Sequence, residues 1–290
     1  RVFGRHETIV APSGRCGGMV QRNYPGLLAG APEEPQARAV AGRVHEFTSF
    51  LVDTLGVTDL GASKEATVTL HDSCHALREL GIRRLDQVIL THPDLDHLGG
   101  LVTIFLPSGP EVGELLEPGI LHPTDSYQSL LREALARPSL LYRQPRAGMI
   151  LDWGEGVKAE VIHPAELAAD TNDSSVVVRL SYGRISFLFA GDISGEVEKR
   201  LARERGWRLR STILKVAHHG SKHSSSEEFL AQVRPAAAVV SCGKGNPFGH
   251  PAAEALERLR KVRAMIYRTD EMGTVTVVTD GQGYRIETEK

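Results

Sequence analysis

One ten-residue segment constrains this chain more than any other part of its sequence. Residues 91–100 read Thr-His-Pro-Asp-Leu-Asp-His-Leu-Gly-Gly and follow the apolar run Leu-Asp-Gln-Val-Ile-Leu at residues 85–90. This pattern predicts a strand that ends in a tight loop carrying several metal-binding side chains. Those side chains are His92, Asp94, Asp96 and His97. The alternative is a solvated polar loop, but the Gly-Gly exit and the later His and Asp residues favour a metal site.

The mixture of ligand types indicates which metals the loop would bind. Imidazole and carboxylate groups together suit zinc, manganese or iron better than calcium or magnesium. Ligands packed this densely can divide between two ions, and a metal pair is a recurring device for hydrolysing phosphate esters. Such ions lower the pKa of a bound water and polarise a phosphoryl oxygen. We therefore predict two divalent metal ions, zinc or manganese, as cofactors.

Length, composition and charge bound the class of protein. The 290 residues allow one large domain or two smaller ones, and 41% hydrophobic with 24% charged residues is typical of a soluble globular protein. A net charge of −2 argues against a tight electrostatic binder of nucleic acid, but not against an enzyme that handles it transiently. We find no stretch with the apolar length of a membrane span and no signal-peptide pattern. The first residue is Arg1 rather than Met, as expected of a fragment or a processed product.

Two differently built halves are predicted to meet near residue 84. The first has Gly/Pro punctuation, a helix over residues 36–55, a strand over 66–70 and a helix over 71–80. In the second, short strands alternate with helices, and a Gly/Pro/Glu-rich loop is expected over 107–123. The strands are predicted at residues 85–90, 157–162, 175–180, 185–190, 212–216, 236–241, 273–278 and 284–288, and the helices at 126–136, 194–205, 226–233 and 251–264. This alternation predicts an α/β (α+β) fold with mixed sheets covered by helices.

More metal-binding side chains follow the later predicted strands. Asp192 comes after an apolar strand and a glycine, although capping of the next helix is the other role open to it. Another strand ends just before the pair His218-His219, either of which could be a ligand, since buried imidazoles need partners. His250 lies in a turn-rich loop before a helix, where a structural role as a cap is an equal alternative.

In this order, the motifs resemble the metallo-β-lactamase superfamily, and specifically the nuclease-like domain of ComEC-type DNA-uptake (competence) proteins. The similar segments are residues 81–100, Asn-Asp-Ser-Ser-Val-Val-Val at 172–178, Phe-Ala-Gly-Asp-Ile at 189–193, Leu-Lys-Val-Ala-His-His-Gly-Ser at 214–221 and residues 241–251. The resemblance covers about residues 81–290 and implies an αββα sandwich with metals at the ends of its two sheets.

By motif position, the resemblance also implies a division of the ligands. His92 and Asp94 would help to hold one metal, and Asp96 and His97 the other. Asp192 would bridge the two ions or serve the second, which His219 or His218 would complete.

The chain departs from the superfamily pattern in two places. Asn172-Asp173-Ser174 stands where a third-motif histidine is expected, as in ComEC-like members. One metal site is therefore predicted to be weaker, or to be completed by His163, Asp173 or water. The superfamily's first two strands should precede residue 81 and are not recognisable, so the sandwich is predicted to lack them.

The first part of the chain, about residues 8–82, is similar to another family, the cysteine-rich CCG domain of LutA/GlpC-type iron–sulfur subunits. The similarity includes Thr-Ile-Val-Ala-Pro-Ser-Gly-Arg-Cys-Gly-Gly-Met at 8–19 and His-Asp-Ser-Cys-His at 71–75. In that family Cys16 and Cys74 would be cluster or redox ligands, joined by a Cys-Cys-Gly motif that this chain lacks. These two thiolates are short of the four that a cluster ordinarily takes. With Cys242 the chain has three cysteines, too few for a disulfide framework.

We therefore predict an incomplete CCG-like segment over residues 1–84, joined to a hydrolase domain over 85–290. The leading functional hypothesis is a metal-dependent phosphodiesterase or nuclease that acts on single-stranded DNA in a ComEC-like manner. Its predicted catalytic residues are Asp96, Asp192 and His219. The side chains predicted to grip phosphate are Ser221, Lys222, Ser224, Ser225, Lys244, Asn246 and His250. A flexible lead-in to the next helix is the alternative for the serine-rich stretch.

A run of basic side chains could track the backbone of a DNA strand or form a solvated helix face. The run consists of Lys199, Arg200, Arg203, Arg205, Arg208 and Arg210. Three other functions stay open: hydrolysis of another ester or a lactam, a fragment of an iron–sulfur redox subunit, and an inactive fusion. The cytoplasm is the expected location, or a site outside it if the chain is part of a ComEC-like membrane protein. The sequence leaves the oligomeric state open.

Overall fold

The computed structural model of this chain describes residues 9–11, 24–46, 84–107, 109–154 and 156–290. The Cα positions divide into two units, residues 1–84 and 85–290. None of the helices in the described ranges has the length and apolar character needed to cross a membrane.

The described part of the first unit is a parallel strand pair with two helices. β1 (Ile9–Ala11) pairs with β2 (Val44–Glu46), and α1 (Tyr24–Leu27) and α2 (Glu34–Ala41) lie between them in the chain. α2 ends at Gly42, whose N–H bonds back to the helix, and β2 begins two residues later.

The helix predicted over residues 36–55 is therefore wrong at residues 44–46, and its part beyond residue 46 lies outside the described residues. Val44 is buried in β2, so tertiary burial outweighs the helical spacing of the apolar residues there. The remaining predictions for the first unit concern the strand over 66–70, the helix over 71–80, Cys16 and Cys74. All of them lie outside the described residues, as do most positions where the superfamily's first strands are expected.

Twelve strands and six helices make up the described part of the second unit. The strands are β3 (Arg84–Ile89), β4 (Glu111–Leu116), β5 (Leu141–Arg143), β6 (Ile150–Asp152), β7 (Val157–His163), β8 (Val177–Tyr182), β9 (Ile185–Phe189), β10 (Ile213–Lys215), β11 (Ala237–Val240), β12 (Met265–Arg268), β13 (Val275–Thr279) and β14 (Tyr284–Thr288). The helices are α3 (Leu95–Ile104), α4 (Asp125–Leu135), α5 (Gly195–Arg205), α6 (Glu227–Val233), α7 (Ala253–Lys261) and α8 (Thr269–Met272).

The strands form one large sheet and two smaller ones. Seven strands make the main sheet in the spatial order β12-β11-β10-β9-β8-β7-β6, and a second sheet has the order β3-β4-β5. The main sheet is antiparallel from β6 to β9 and parallel from β9 to β12. β13 and β14 form a separate antiparallel hairpin.

Both faces of the main sheet are buried, and β8 shows how. Successive side chains of a strand point to opposite faces. Val177 packs with Leu188 and the helical residues Leu201 and Phe229 in one core cluster. Val178 packs instead with Leu116 of β4 in a second cluster. This explains the unbroken apolar run here, because alternation is expected only of strands with one wet face.

The two core clusters define the layers of the unit. Helices α5, α6 and α7 contribute to the cluster on one face of the main sheet, and the second sheet packs on the other face. α3 and α4 pack together, and the Tyr127 hydroxyl of α4 donates to Glu117 just after β4. The order helices, sheet, sheet, helices is the predicted αββα sandwich.

The loop predicted over residues 107–123 is wrong, because β4 runs through it. Glutamate and glycine in this segment suggested a solvated loop, yet Glu114 and Glu117 are buried. Arg143 and Gln87 donate hydrogen bonds to Glu114, and Tyr127 and Tyr142 donate to Glu117. Hydrogen-bond donors that are distant in the chain therefore pair with both buried carboxylates.

Strands β8 and β9 form a tight hairpin with the two-residue turn Gly183-Arg184. Val178 lies opposite Phe189 and Tyr182 opposite Ile185. Gly183 has φ +56°, and a Cβ there would lie 2.3 Å from the carbonyl oxygen of Gly281. The turn therefore requires glycine as its first residue.

Candidate metal centre

The opening motif places its side chains by a short strand-to-helix connection. After β3 the chain passes His92, which is fully buried, and Asp94 then becomes the N-cap residue of α3. The carbonyl oxygen of Asp94 accepts the N–H groups of His97 and Leu98. Leu98 is buried in the core, whereas Asp96 in the same first turn of α3 is exposed and His97 is half-buried.

Asp192 reaches the same region from the end of β9. Its backbone N–H donates to the Ser175 hydroxyl, at 3.1 Å, and that hydroxyl lies 3.3 Å from Nδ1 of His92. Gly191, just before it, has φ +56°, and a Cβ there would lie 2.6 Å from the Cβ of Ser175. The glycine noted in the sequence is therefore needed for the turn that delivers this carboxylate.

The pair His218-His219 arrives from β10 on a strained turn. Both residues adopt left-handed backbone angles, with φ +48° and +53°, which is uncommon for residues other than glycine. The N–H of His218 donates to the Gly191 carbonyl, so this turn is attached to the one that carries Asp192. Nδ1 of His219 lies 2.7 Å from the Ser241 carbonyl oxygen. That contact fixes the ring with Nε2 pointing away from Ser241.

These three connections bring five side chains into one cluster. Nε2 of His219 lies 3.1 Å from Oδ2 of Asp192, 3.2 Å from Oδ2 of Asp96 and 3.2 Å from Nε2 of His97. Two triads have ligand atoms within 4.8 Å of one another. One is His92, His97 and Asp192, and the other is Asp96, His97 and His219.

Unpartnered buried atoms in the cluster show that it fits a divalent cation. Nε2 of His92 and Oδ1 of Asp192 are buried, and neither atom has a hydrogen-bond partner within the part of the chain that the structure describes. Such orphaned atoms are rare in native proteins and call for an explanation, for example an ion. Imidazole nitrogens and carboxylate oxygens are good ligands for zinc, manganese or iron. Either triad could hold such an ion.

The protonation states of His92 and Asp192 also suit a cation. Burial, with help from the nearby His97, lowers the pKa of His92 to about 3, so this imidazole is neutral and can act as a ligand. Burial opposes the charged form of Asp192, but hydrogen bonds with His219 and His97 outweigh it and hold the pKa of this carboxyl well below its usual range. The hydrogen bond with Asp192 raises the pKa of His219.

Lys215, the last residue of β10, also belongs to the centre, although the sequence motifs did not predict it. Its Nζ lies 3.7 Å from Oδ1 of Asp192 and is buried. The ammonium group has no hydrogen-bond partner among the described residues. Burial lowers its pKa, against the attraction of Asp192. A lysine between apolar residues, three positions before a His pair, was the available signal.

Some predicted ligands lie outside the two triads. Oδ2 of Asp94 is 3.9 Å from Nε2 of His92, and Oδ1 of Asp94 accepts a hydrogen bond from Thr171. The ring of His218 lies against that of His250, with centroids 5.8 Å apart, rather than in the cluster. Asp94 thus stands at the margin of the centre, and of the His pair the structure brings His219 to it.

The residues predicted to complete a weak site have other partners. Nε2 of His163 lies 2.7 Å from the Asp173 carbonyl oxygen, and Oδ1 of Asp173 accepts the N–H of Ser194 at the start of α5. Oδ1 of Asn172 is buried without a hydrogen-bond partner in the described ranges. Neither His163 nor Asp173 belongs to a potential metal group in those ranges.

The predicted phosphate-gripping residues divide into two kinds. Several are used within the fold: the Ser224 hydroxyl donates to the Ala217 carbonyl, and the amide of Asn246 bonds to Gly243 and to both backbone groups of His250. Ser221 and Ser225 are buried as well. By contrast, Lys222 and Lys244 are exposed to solvent. In the predicted basic run, Lys199 pairs with Glu196 of its own helix.

Comparison with known proteins identifies the family. The profile of the metallo-beta-lactamase superfamily matches residues 43–244, more than half of the chain. This chain belongs to the metallo-beta-lactamase superfamily. The predicted recognition and fold class are thereby confirmed, and membership makes it a metal-dependent, hydrolase-type enzyme. The match begins inside residues 1–84, for which a CCG-like segment is predicted.

Curated relatives confirm both predicted resemblances. ComE operon protein 3 of Bacillus subtilis is 31% identical over 243 residues, which cover 81% of this chain and 30% of that protein. Competence protein ComA of Neisseria gonorrhoeae is 32% identical over 201 residues, with 69% and 26% covered. Lactate utilization protein A of Oceanobacillus iheyensis is 44% identical over 91 residues, with 31% and 37% covered, over a partial N-terminal stretch.

Each match spans less than half of the relative's own length. Among solved structures, the diiron β-hydroxylase CmlA from Streptomyces venezuelae is similar with a TM-score of 0.42 and 15% identity, covering 64% of this chain and 44% of that one.

Proposed function

We propose that this chain is a metal-dependent phosphodiesterase that cleaves single-stranded DNA. The observation that carries the proposal is that five imidazole and carboxylate groups lie close together, and that two of their buried atoms have no hydrogen-bond partner among the described residues. The residues concerned are His92, Asp96, His97, Asp192 and His219. Similarity to a competence protein supports DNA as the substrate.

The cluster has a closed side and an open side. His92 is fully buried and forms its floor, while the side chain of Asp96 is 61% exposed and marks the side that a substrate can reach. Divalent ions bound in the cluster would polarise a phosphoryl oxygen and acidify a water. The chain itself would hold the ligand rings in place, through Ser241 on His219 and Thr91 on His97.

Hydrolysis by the purified full chain tests the proposal. We expect turnover of a single-stranded oligonucleotide and of bis-p-nitrophenyl phosphate that requires added manganese or zinc. Asp192→Asn and Asp96→Asn should each lower it by about 10- to 100-fold, because each removes a carboxylate from the cluster. Asp125→Asn, the same change at an exposed position on α4, is the matched control. Absence of metal-dependent turnover, or unchanged turnover in Asp96→Asn, would overturn the proposal.

A redox subunit is the second candidate, favoured by the similarity to lactate utilization protein A. The whole sequence holds three cysteines, fewer than the four thiolates of an ordinary cluster. Iron and sulfide analysis with a visible spectrum of the anaerobically purified chain distinguishes the two. A coloured protein with stoichiometric iron and sulfide would favour the redox subunit, and a colourless one the hydrolase. Location in the cell stays a prediction, and the oligomeric state stays open.

A further inference from the structure

A second site lies at the other end of the main sheet from the metal centre. An open cleft of about 990 Å³ is lined by residues at the start of β9, in the chain that enters β10, and in the turn Gly206–Leu209. The metal centre follows the opposite ends of the same two strands. The cleft and the centre are therefore separated by about one strand length, on the order of 17 Å.

Positive charge is concentrated in this cleft. Six basic side chains and one carboxylate, Glu160, line it. The basic residues are Lys158, Arg179, Arg184, Arg208, Arg210 and Arg234. None of the six forms an ion pair within the described ranges, whereas Arg143 and Arg268 elsewhere in the unit do. This local excess contrasts with the net charge of −2 for the whole chain.

Parts of the cleft are held in place by the fold. Nε and Nη2 of Arg179 both donate to the Arg210 carbonyl oxygen, at 3.1 and 2.9 Å. Nε of Arg234 donates to the Ala231 carbonyl oxygen. By contrast, Lys158, Arg184 and Arg208 are exposed and make no side-chain hydrogen bond to another described residue. Their cationic groups are thus free to meet an anion that enters the cleft.

An aromatic ring stands beside these charges. Trp207 lines the cleft, and 79% of it is exposed. An exposed indole offers a flat face for stacking, and tryptophan is enriched at binding interfaces. Arginine groups that can fork onto phosphate, next to a ring on which a base can stack, form the combination found in proteins that bind single strands.

We propose that this cationic cleft binds single-stranded nucleic acid, with phosphates on the arginines and a base on Trp207. A duplex fits less well, because its bases are already stacked and cannot cover the ring. An anionic membrane also fits less well, because the site is concave and Ile150 is its one other large apolar side chain. The proposal does not depend on hydrolase activity.

Binding of oligothymidylate to the metal-free full chain tests the proposal. A labelled strand of about 12 nucleotides, within the usual range of site sizes, is titrated in the presence of EDTA and followed by anisotropy. The affinity should fall with salt, and Trp207→Ala should weaken it roughly tenfold. Arg184→Glu and Arg208→Glu should each weaken it and reduce the steepness of the salt dependence by about 0.7 or more.

Arg203→Glu is the matched control. It makes the same charge change at an exposed position of α5 that belongs to the basic run but does not line the cleft. Equal losses in Arg184→Glu, Arg208→Glu and Arg203→Glu would overturn the proposal. So would a Trp207 fluorescence change with phosphatidylserine vesicles but not with oligothymidylate. Hydrolysis of bis-p-nitrophenyl phosphate should be unaffected by the cleft variants, so failure of the catalytic proposal would not be mistaken for failure of this one.

Discussion

Nε2 of His97 lies 3.2 Å from Nε2 of His219, although 122 residues separate the two in the chain. His97 comes from the first turn of α3, and His219 from the strained turn after β10. Two imidazole nitrogens at this distance share one proton, or both direct lone pairs at a common cation. The second arrangement agrees with the nearby Nε2 of His92, which has no hydrogen-bond partner among the described residues.

We predict that His219→Ala lowers the affinity for zinc or manganese by more than about tenfold, because it removes a ligand from the triad with Asp96 and His97. His218→Ala is the matched control, since His218 has nearly the same backbone angles but packs against His250. Calorimetric titration of the metal-free proteins checks this. Equal losses in the two variants would contradict the assignment of His219.

Lys215→Met should strengthen binding of a divalent cation. The ammonium group lies 3.7 Å from Oδ1 of Asp192 and repels any ion on that carboxylate. We expect a gain of about tenfold in affinity, which corresponds to about 1.4 kcal/mol. The same change should destabilise the metal-free protein by roughly 3 kcal/mol, because buried Asp192 loses its cationic partner.

Metal titration and urea unfolding of the metal-free protein check these two effects of Lys215→Met. Lys261→Met is the control, as Lys261 forms an exposed ion pair with Glu227. Weaker metal binding in Lys215→Met would contradict the repulsion argument.

Gly191→Ala is expected to damage both stability and the metal centre. The added Cβ would lie 2.6 Å from that of Ser175, at a φ of +56°, so the turn before Asp192 must move. We expect a loss of roughly 3 kcal/mol in the free energy of unfolding. Gly245→Ala isolates the backbone cost, because Gly245 has φ +68° but no described atom within 4 Å of its Cβ position. That variant should lose only about 1 to 2 kcal/mol. Similar losses in urea unfolding would show that Ser175 is not the obstacle.

Glu198 predicts a pH dependence of stability. Burial raises the pKa of its carboxyl to about 7, although the N–H groups of Ser225 and Ser226 donate to it at 2.7 and 2.5 Å and oppose the shift. Between the ordinary pKa of 4.5 and about 7, the folded chain binds a proton that the unfolded chain has lost. This contribution is therefore complete below about pH 4.5 and falls as the pH rises, by up to about 1.4 kcal/mol per pH unit.

Glu198→Gln removes this titration and serves as the reference. Unfolding in urea at about pH 5, 6 and 7 should show the stability advantage of wild type over Glu198→Gln shrinking as the pH rises. An advantage that grows with pH would mean that the folded state holds this carboxylate charged. The comparison cancels the titration of other groups, which both proteins share.

The sequence motif predicted most members of the side-chain cluster, because the residues concerned are close together in the chain. His92, Asp96 and His97 fall within six residues, and one strand-to-helix connection is enough to gather them. The ring of His219, rather than that of His218, contacts the carbonyl oxygen of Ser241, which follows β11. Spacing along the chain does not encode this contact. Lys215 escaped notice because its partner, Asp192, comes from a neighbouring strand.

The second sheet and the cationic cleft were harder to predict for a related reason. Glu114 on β4 and Glu117 just after it have partners, Arg143 and Tyr142, on the next strand of the sheet. The basic run predicted from consecutive residues supplies only Arg208 and Arg210 to the cleft, and the other four cations come from other elements. A linear pattern reports charges that are adjacent in the chain, whereas a binding surface depends on charges that are adjacent in space.

The hairpin turn Gly183-Arg184 affects the position of Asp192, although the two lie at opposite ends of β9. β9 is five residues long, with Arg184 at its entry and Asp192 beyond its exit. A slip of one residue against β8 would reverse every side chain of β9 between the two cores. It would remove Asp192 from the histidines and Ser186 from the cleft in a single step. The tight turn thus fixes the register of β9, and with it the positions of the residues at both ends of the strand.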